Sequence, residues 1–291
     1  MTYDTSAEQD IRGIDVDKLA KGFADEENVF KKFINNSTTS AREIRWYKKT
    51  SGFLDSTDTT TITASQIANT SFKSRPVVVE QSWERTTSYV RKYFVESPWL
   101  SEEDIKDCDI DVLATNIRDL VRAVERQVDS RIYTIITTTT GFQTVAATAD
   151  GWDDSATGNP ILDLLVAKQM IRAYGYNPEG AILAINSIEH KNLINYLISV
   201  KGSSIPNFSS QKMESGVVME ILGLRVVVSE NATTDQAVVF VSGCATWKSF
   251  VPITSAVVND VGIGRKVRVW EEGECICHDP KGVVVITATV V

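Results

Sequence analysis

One amphipathic stripe constrains the fold of this chain more than any other feature of its sequence. From Asp109 onward, apolar side chains recur every three or four positions, which places them on one face of an α-helix. The stripe comprises Ile110, Leu113, Ile117, Leu120, Val121, Val124, Val128, Ile132 and Ile135. About 26 residues with a rise of about 1.5 Å each predict a helix roughly 39 Å long. This helix carries no catalytic constellation, so it indicates a building block rather than an enzyme.

Extended segments precede the helix. The residues around Val77 alternate apolar and polar side chains at the two-residue period of a half-buried strand, which predicts a strand over 72–79. A further strand is predicted over 88–96. The acidic run 101–104 follows Pro98 and has the form of a capping box, so it is expected to start the helix.

Residues 41–81 are predicted to form a ribbon of two strands. Ile44, Trp46 and Tyr47 begin the first strand, residues 72–79 belong to the second, and a polar loop lies between them. Because a two-stranded ribbon is at best marginally stable alone in water, we expect it to lie across a neighbouring subunit. The alternative is a surface loop without regular structure.

Residues 1–40 are predicted to be an arm. Apolar side chains at near-helical spacing are Leu19, Phe23, Phe30, Phe33 and Ile34. Their face is too narrow to fold alone, so we expect the arm to pack on the surface of a neighbour. The start of the chain has neither a basic segment nor an apolar core, which argues against a signal peptide.

The second half of the sequence mixes helices and strands. Asn159 and Pro160 predict a helix start, and Gly175 predicts its end. A strand over 181–185 and a helix over 187–198 are predicted next. Further strands are predicted at 217–222, 224–229, 237–241, 255–259, 265–271 and 283–290. No regular alternation of strand and helix is present, so the fold class is α+β rather than a doubly wound parallel sheet.

Charge and hydropathy exclude two classes of protein. The formal net charge is −8, and the densest basic run is the short segment 265–268. A protein that holds DNA by its phosphates needs a concentrated basic face, so tight or sequence-specific DNA binding is not expected. No apolar run approaches the ~18 residues of a membrane span.

Four cysteines, Cys108, Cys244, Cys275 and Cys277, do not have the spacing of a disulfide framework. Cys275 and Cys277 lie two positions apart in a predicted strand and His278 follows, so zinc binding is one interpretation. These three ligands lack the second pair that a structural zinc site needs. We therefore interpret the cysteines as buried strand residues.

Three other motifs do not match a functional site. His190 is predicted to be an exposed helix residue, and no nucleophile elbow supports a catalytic triad around it. Gly262 and Gly264 lack the third glycine of a dinucleotide loop and precede a strand, so they predict a hairpin turn. Asp107, Asp109 and Asp111 begin a calcium-loop spacing, but Val112 and Arg118 stand where glycine and glutamate are required.

The acidic residues on the long helix are also interpreted structurally. Glu125 and Asp129, four positions apart, are predicted to lie on a solvated face. Lys48 and Lys49 lie in the first strand of the ribbon, but no asparagine and glutamate can be placed around them, so no crosslink is predicted. We therefore predict no catalytic, cofactor-binding or metal-binding residues and no cofactor.

The order of these elements resembles the major capsid proteins of tailed bacteriophages, whose fold is shared with herpesvirus shells and encapsulins. The segments that carry the resemblance are VVVEQSW, RAVERQVDSRIY, DLLVAKQMIRAYGYNPEGAILAINSIEHKNLINYL, EILGLRVVVSENAT and QAVVFVSG. The resemblance covers roughly residues 40–291. It lies in the order of helices and strands and in weakly defined sequence motifs.

The resemblance implies a tailed-phage capsid fold with four parts. The N-terminal arm is residues 1–40, and the extended β-hairpin loop is 41–81. The peripheral domain, with the long spine helix, is 82–150 together with 245–276. The axial domain is 151–244 together with 277–291.

The resemblance also implies a function and partners. The chain is expected to self-assemble, in the host cytoplasm, into hexamers and pentamers of an icosahedral virion shell that encloses double-stranded DNA. A portal and a separate scaffolding protein are expected partners, with a decoration protein as an optional one. Because only about 40 residues precede the hairpin, we expect a separate scaffolding protein or none. The alternatives are an encapsulin shell and an uncharacterised α+β hydrolase.

Overall fold

The computed structural model describes residues 29–49, 71–75, 83–102, 112–148, 151–154, 157–197, 220–260 and 262–290. The helices in these ranges are α1 (Val112–Thr138), α2 (Pro160–Ala173) and α3 (Ser187–Asn195), with 3₁₀ turns at Phe30–Lys32 and Pro280–Gly282. The strands are β1 (Asn35–Thr38), β2 (Glu43–Lys49), β3 (Trp83–Tyr89), β4 (Arg91–Glu96), β5 (Gln143–Ala146), β6 (Ile182–Ile185), β7 (Glu220–Ile221), β8 (Leu224–Val228), β9 (Gln236–Phe240), β10 (Ala245–Asp260), β11 (Gly264–Cys277) and β12 (Val283–Thr287).

Helix α1 is the long helix that the apolar stripe predicts. It spans 27 residues. The buried apolar residues of the stripe are Ile117, Val121, Val124, Val128 and Ile132, whereas Leu120 and Ile135 are half-buried. Residues 103–111, which include Ile110 and half of the predicted capping box at 101–104, lie outside the described residues.

The first sheet has the strand order β1-β10-β11-β4. Strands β10 and β11 form a long antiparallel hairpin whose turn contains Gly262, as predicted, with φ of 83° at this glycine. Strand β4 pairs antiparallel with the free edge of β11. The N-terminal half of α1 packs on this sheet, where Val121 and Val124 meet Val267 and Val269. This interlayer core fixes the direction of α1 across the strands.

The second sheet has the strand order β5-β12-β9-β6-β8-β7. Its three central strands, β12, β9 and β6, are almost fully buried, because α2 and α3 pack on one face and the C-terminal half of α1 packs on the other. The predicted start of α2 is confirmed, since the Asn159 side chain accepts a hydrogen bond from the Leu162 amide at 3.2 Å and Pro160 occupies the first turn. Gly175 has φ of 83° just after the helix end, also as predicted.

Strands β2 and β3 form a separate two-stranded ribbon, and here the sequence prediction is partly wrong. The partner of β2 is β3 at residues 83–89, not a strand over 72–79. Residues 72–75 lie in a turn, and residues 76–79 lie outside the described residues. The valine-rich run attracted the prediction because it is apolar. The actual strand, WERTTSY, has no continuous apolar run, and none of its residues is fully buried.

Two further strand predictions differ from the structure, and two strands were not predicted. Strand β10 begins at Ala245, well before the predicted 255, and the predicted strand over 88–96 is two strands divided at Val90. Strands β1 and β5 were not predicted at all, and their sequences are NNST and QTVA. Both are short edge strands held mainly by backbone pairing, which a hydrophobic pattern does not reveal.

Candidate assembly site: the arm junction and the exposed ribbon

The described end of the N-terminal arm is attached to the body of its own chain. Strand β1 pairs in parallel with β10, with Asn35 opposite Thr246 and Thr38 opposite Ser249. Just before it, the Phe30 side chain is fully buried, with its ring centroid 5.7 Å from that of Tyr133 on α1. For residues 29–38, the expectation that the arm packs on a neighbour is therefore wrong. Their apolar side chains fill a groove of the same subunit.

Asp129 on α1 is hydrogen-bonded to the backbone of the arm. Its carboxylate accepts hydrogen bonds from the amide of Val29 at 2.7 Å and from that of Phe30 at 3.2 Å. These amides belong to the first turn of a 3₁₀ helix and would otherwise lack partners. Asp129 is only 1% exposed. Burial raises its pKa to about 6, although the amide hydrogen bonds and Lys31 oppose that increase.

Lys31 adds an ion pair to the junction. Its ammonium lies 2.5 Å from Oε1 of Glu271 on β11, and the same oxygen accepts a hydrogen bond from Trp247 Nε1 at 3.1 Å. The ammonium also lies 5.6 Å from the centre of the Trp247 ring, within the range of a cation–π contact. Gly273 makes room for this indole, since a Cβ atom there would stand 2.4 Å from Trp247 Cζ2.

Glu125 completes the junction from α1. It is 1% exposed and lies near the fully buried Glu271 and the buried Asp129. Burial raises the pKa of Glu125 to about 8, and the neighbouring Glu271 and Asp129 carboxyls contribute to the increase. The prediction that Glu125 and Asp129 lie on a solvated face is wrong. One signal was present in the sequence, because both acids are in helical phase with Val121 and Ile132 on the apolar stripe.

A fourth buried carboxyl group, that of Glu274, connects three elements beside the junction. Glu274 on β11 accepts from Arg131 on α1 at 2.8 Å and from Arg91 at the start of β4 at 3.0 Å. A buried ion pair contributes little net stability, but loss of one partner leaves a costly unpaired charge. The arrangement therefore fixes how α1, β4 and β11 meet.

The β2–β3 ribbon has two unlike faces. Trp46 and Lys48 are buried on the inner face, where the Trp46 ring lies 5.9 Å from that of His278. The outer face carries Tyr47, Trp83 and Tyr89, which are 55%, 57% and 66% exposed. The strand register places all three on one side, since Glu43 pairs with Tyr89, Tyr47 with Arg85 and Lys49 with Trp83. Several exposed aromatic side chains on one face are typical of protein–protein contact surfaces.

A second group of exposed apolar side chains lies on the half of the molecule built around the second sheet. Its members are Leu162, Leu165, Ile188 and Leu222. They are carried by α2, α3 and the β7–β8 turn. This surface lies on different elements from the ribbon and offers a second place for contact between copies.

The other residues singled out from the sequence are structural. Cys275 and Cys277 are buried strand residues, as interpreted, whereas Cys244 is buried in the turn before β10, and burial raises the pKa of the Cys275 thiol. His190 is half-buried rather than exposed, and burial lowers its pKa. Among the described residues, no group of three or more His, Cys, Asp or Glu side chains is placed to hold a metal ion. Cys108, Asp107, Asp109 and Asp111 lie outside the described ranges.

No helix within the described ranges has both the length and the apolar character needed to cross a membrane.

Comparison with solved structures shows a common fold. A virus-like particle from Pyrococcus furiosus is 12% identical, with a TM-score of 0.63, and the match covers 94% of this chain and 99% of that one. The capsid structure of cyanophage P-SCSP1u is 11% identical in sequence, with a TM-score of 0.64. The match covers 89% of this chain and 88% of that one. A structure from Mycobacterium phage Che8 is 15% identical in sequence, with a TM-score of 0.63. The match covers 91% of this chain and 92% of that one. The predicted α+β capsid fold is therefore confirmed.

Comparison of sequences identifies the family of this chain. No curated protein sequence matches the chain. A family model described as phage capsid protein matches residues 99–286, which is well over half of the 291 residues. Members of this family are structural proteins and not enzymes, so the hydrolase alternative is wrong. This chain belongs to the phage capsid protein family.

Proposed function

We propose that this protein is the major shell subunit of a tailed virus of a bacterium or archaeon, and that its hexamers and pentamers enclose double-stranded DNA. The observation that carries the proposal is the outer face of the β2–β3 ribbon. There, Tyr47, Trp83 and Tyr89 are each more than half exposed, and the described residues of the same chain do not cover them.

The ribbon needs a neighbour for energetic reasons. Burial of apolar surface contributes roughly 25 cal/mol per Å², and each large aromatic side chain can bury about 150–250 Å². A specific interface needs on the order of 1,000 Å² in total, more than three side chains supply. The second exposed group, which includes Leu165 and Leu222, would add contacts elsewhere on the subunit. Two separate surfaces allow each copy to contact more than one neighbour, as a closed shell requires.

The charge of the chain supports enclosure of DNA without tight binding. Its net charge is −8, so the subunit as a whole repels phosphate. A shell needs only to surround the genome, and a surface that gripped DNA strongly would hinder packing. We expect no preference for sequence in the DNA inside the particle.

The division into domains remains a proposal, supported by the two sheets. The first sheet with α1 corresponds to the proposed peripheral domain, residues 82–150 and 245–276. The second sheet with α2 and α3 corresponds to the proposed axial domain, residues 151–244 and 277–291. Strand β5 is an exception, because it lies in the second sheet although it falls within the first range. A scaffolding protein, a portal and a decoration protein are proposed partners during assembly in the host cytoplasm.

An encapsulin shell is the second candidate, and one observation favours it. The match to the Pyrococcus furiosus virus-like particle covers 99% of that chain, so this protein contains its whole fold. Neighbouring genes distinguish the candidates. Genes for a terminase and a portal would accompany a virion subunit, whereas a gene for a cargo enzyme would accompany an encapsulin.

Electron microscopy and light scattering of the expressed full chain test the proposal. We expect closed particles, alone or with the co-expressed neighbouring genes, and nuclease-protected double-stranded DNA in particles from infected cells. Particles that protect a protein cargo and no DNA would favour the encapsulin. A protein that remains a folded monomer under every assembly condition would overturn both candidates.

A further inference from the structure

The side of α1 that faces away from its apolar stripe carries a row of three arginines. Arg118, Arg122 and Arg126 are four positions apart, so they lie on one face of the helix. Arg118 and Arg126 are exposed, and Arg122 is half-buried. Among residues 114–138 of α1, Asp119 is the only exposed acidic side chain. The accessible face of this half of α1 is therefore mainly cationic, and we call these three residues the arginine row.

Part of the arginine row lies in an open groove between α1 and β4. Arg122 and Arg126 line this groove from the helix, and Lys92 adds a third cation from β4. Asp119 and Glu230 are its acidic members. Arg126 donates from Nε to the side chain of Asn231 at 3.4 Å. A guanidinium has five N–H donors, so this contact leaves donors for a further acceptor.

The described part of the arm begins beside the arginine row. The amide of Val29 donates to the Asp129 carboxylate at 2.7 Å. Asp129 follows Arg126 by three positions, which is about 4.5 Å along the helix axis. Arg122 and Arg118 are roughly 10 Å and roughly 16 Å from Asp129 along the same axis. The chain that precedes Val29 therefore emerges close to the cationic face of α1.

The sequence just before Val29 is acidic. Asp25, Glu26 and Glu27 are consecutive, and residues 1–28 contain eight acidic and three basic side chains. An extended chain spans at most about 3.5 Å per residue, so residues two to four positions before Val29 can lie about 7–14 Å from it. These distances match those of the arginine row from the same anchor.

The charge of α1 also indicates a direction. From Arg131 to the end of α1, the helix sequence has no further charged side chain. Arg131 itself is paired with the buried Glu274 at 2.8 Å. A chain that turned toward the end of α1 would find no complementary charge on that helix, whereas one that turned toward its start would meet three arginines.

We propose that the acidic run 25–27 docks on the arginine row, Arg118, Arg122 and Arg126, of its own subunit. A single exposed ion pair contributes little, but here three carboxylates face three guanidinium groups. The anchor at Val29 is two residues from the acidic run, and a short tether keeps the local concentration of the bound group in about the millimolar range. Docking within one subunit is therefore favoured over docking on a neighbour. The inference concerns the single subunit and does not depend on the proposed function.

Carbodiimide crosslinking of the full chain tests the proposal, because this reagent joins a carboxylate directly to a lysine amine without a spacer. Arg122→Lys supplies an amine within the arginine row and keeps its charge. We expect peptide mass spectrometry to identify an amide between this position and the acidic run. No such crosslink, in a variant whose circular dichroism matches that of the wild type, would overturn the proposal.

Thr134→Lys is the matched control, since Thr134 is exposed on α1 but lies beyond Asp129 in the opposite direction. Its yield of crosslink to the acidic run should be roughly fivefold lower, because the neighbouring positions there carry no charge that attracts carboxylates. Equal yields from the two variants would show that the acidic run has no preference for the arginine row and would contradict the proposal.

Isotope mixing distinguishes docking within a subunit from docking between subunits. Labelled and unlabelled Arg122→Lys protein are mixed before the reagent is added. We expect both halves of each crosslinked peptide pair to carry the same label. Pairs that combine the two labels in the statistical ratio would mean that the acidic run docks on a neighbour, and the proposal would be wrong.

Charge reversal and salt separate attraction from mere proximity. Arg118→Glu and Arg126→Glu, combined with Arg122→Lys, should lower the crosslink yield several-fold. An increase in salt from about 0.05 M to about 0.5 M should lower the yield of the Arg122→Lys variant in the same way, because added ions screen exposed charges. The salt series needs no variant beyond Arg122→Lys. A yield that does not change with salt would overturn the proposal.

Discussion

The arm junction and the β2–β3 ribbon are two places in the described part of the chain where an extended segment meets the body, and they use opposite chemistry. The junction buries three carboxyl groups beside a half-buried lysine, whereas the ribbon leaves three aromatic side chains in solvent. Two of the enclosed carboxylates, Asp129 and Glu271, have specific donors in their own chain. Solvent-exposed aromatic side chains contribute little to the stability of the isolated subunit. The comparison indicates that the junction belongs to folding and the ribbon belongs to assembly.

The largest expected effect comes from a new acid beside the junction. Val128 is adjacent to Asp129 and fully buried, but no amide points at it. We expect Val128→Asp to cost about 3–5 kcal/mol of unfolding free energy, since the charge would be buried without a partner. Urea denaturation measures the loss.

Leu120→Asp is the matched control on the same helix, because Leu120 is half-buried and its substitute can reach water. Its loss should be clearly smaller. If both variants keep the wild-type denaturation midpoint, α1 does not form the buried layer described above.

A smaller effect is expected from Asp129→Ala, which removes the acceptor of the Val29 and Phe30 amides. Leaving buried donors unsatisfied costs about 1–3 kcal/mol, and the cost should appear mainly as local release of the arm. Limited proteolysis near residue 29 and amide exchange measure it. Asp119→Ala, at an exposed position of α1, should leave both readouts unchanged. An arm that stays equally protected in both variants would show that the cap does not hold it.

The smallest effect on stability, with the largest effect on assembly, is expected at the ribbon. The triple variant Tyr47→Thr, Trp83→Thr and Tyr89→Thr keeps residues suited to strands. Surface changes of this kind stay within about 0.5 kcal/mol each, so the subunit should fold normally. Electron microscopy should nevertheless show no closed shells.

Arg45→Gln serves as the control for the ribbon, since it changes a charged residue on the same face. Normal shells from the triple variant would mean that this face is passive. Global unfolding would mean that the aromatic side chains belong to the core. The tip of the predicted hairpin, residues 52–67, lies outside the described residues, and the prediction that its removal blocks assembly but not folding remains open to the same measurements.

The features that could be predicted from the sequence are those with a local cause. The apolar stripe of α1 has a helical period, Asn159 and Gly175 are local start and stop signals of α2, and Gly262 marks a hairpin turn. In each case the residues that determine the structure are neighbours in the chain. The exposed face of the ribbon could be predicted only in part, because Tyr47 lies in a predicted strand.

The features that could not be predicted depend on distant partners. Burial of Asp129 requires the amide of Val29, which is 100 positions away, and burial of Glu271 requires Lys31, which is 240 positions away. Without these partners, a glutamate or aspartate on a helix is most simply solvated, and the sequence alone favoured that interpretation. Strand β1 was missed for a related reason, since its polar sequence becomes a strand only when the β10 edge is present.

The position of strand β12 determines when the second sheet can be completed during synthesis. It lies between β5 and β9 inside the second sheet, although β5 precedes it by about 140 residues in the chain. Until residues 283–287 have left the ribosome, β5 lacks its partner and one edge of β9 stays open. Long-range pairing of this kind is slow and comes late in folding. A truncated or stalled chain would therefore retain an unfinished sheet, which would keep incomplete polypeptides out of a growing polymer and expose them to proteases.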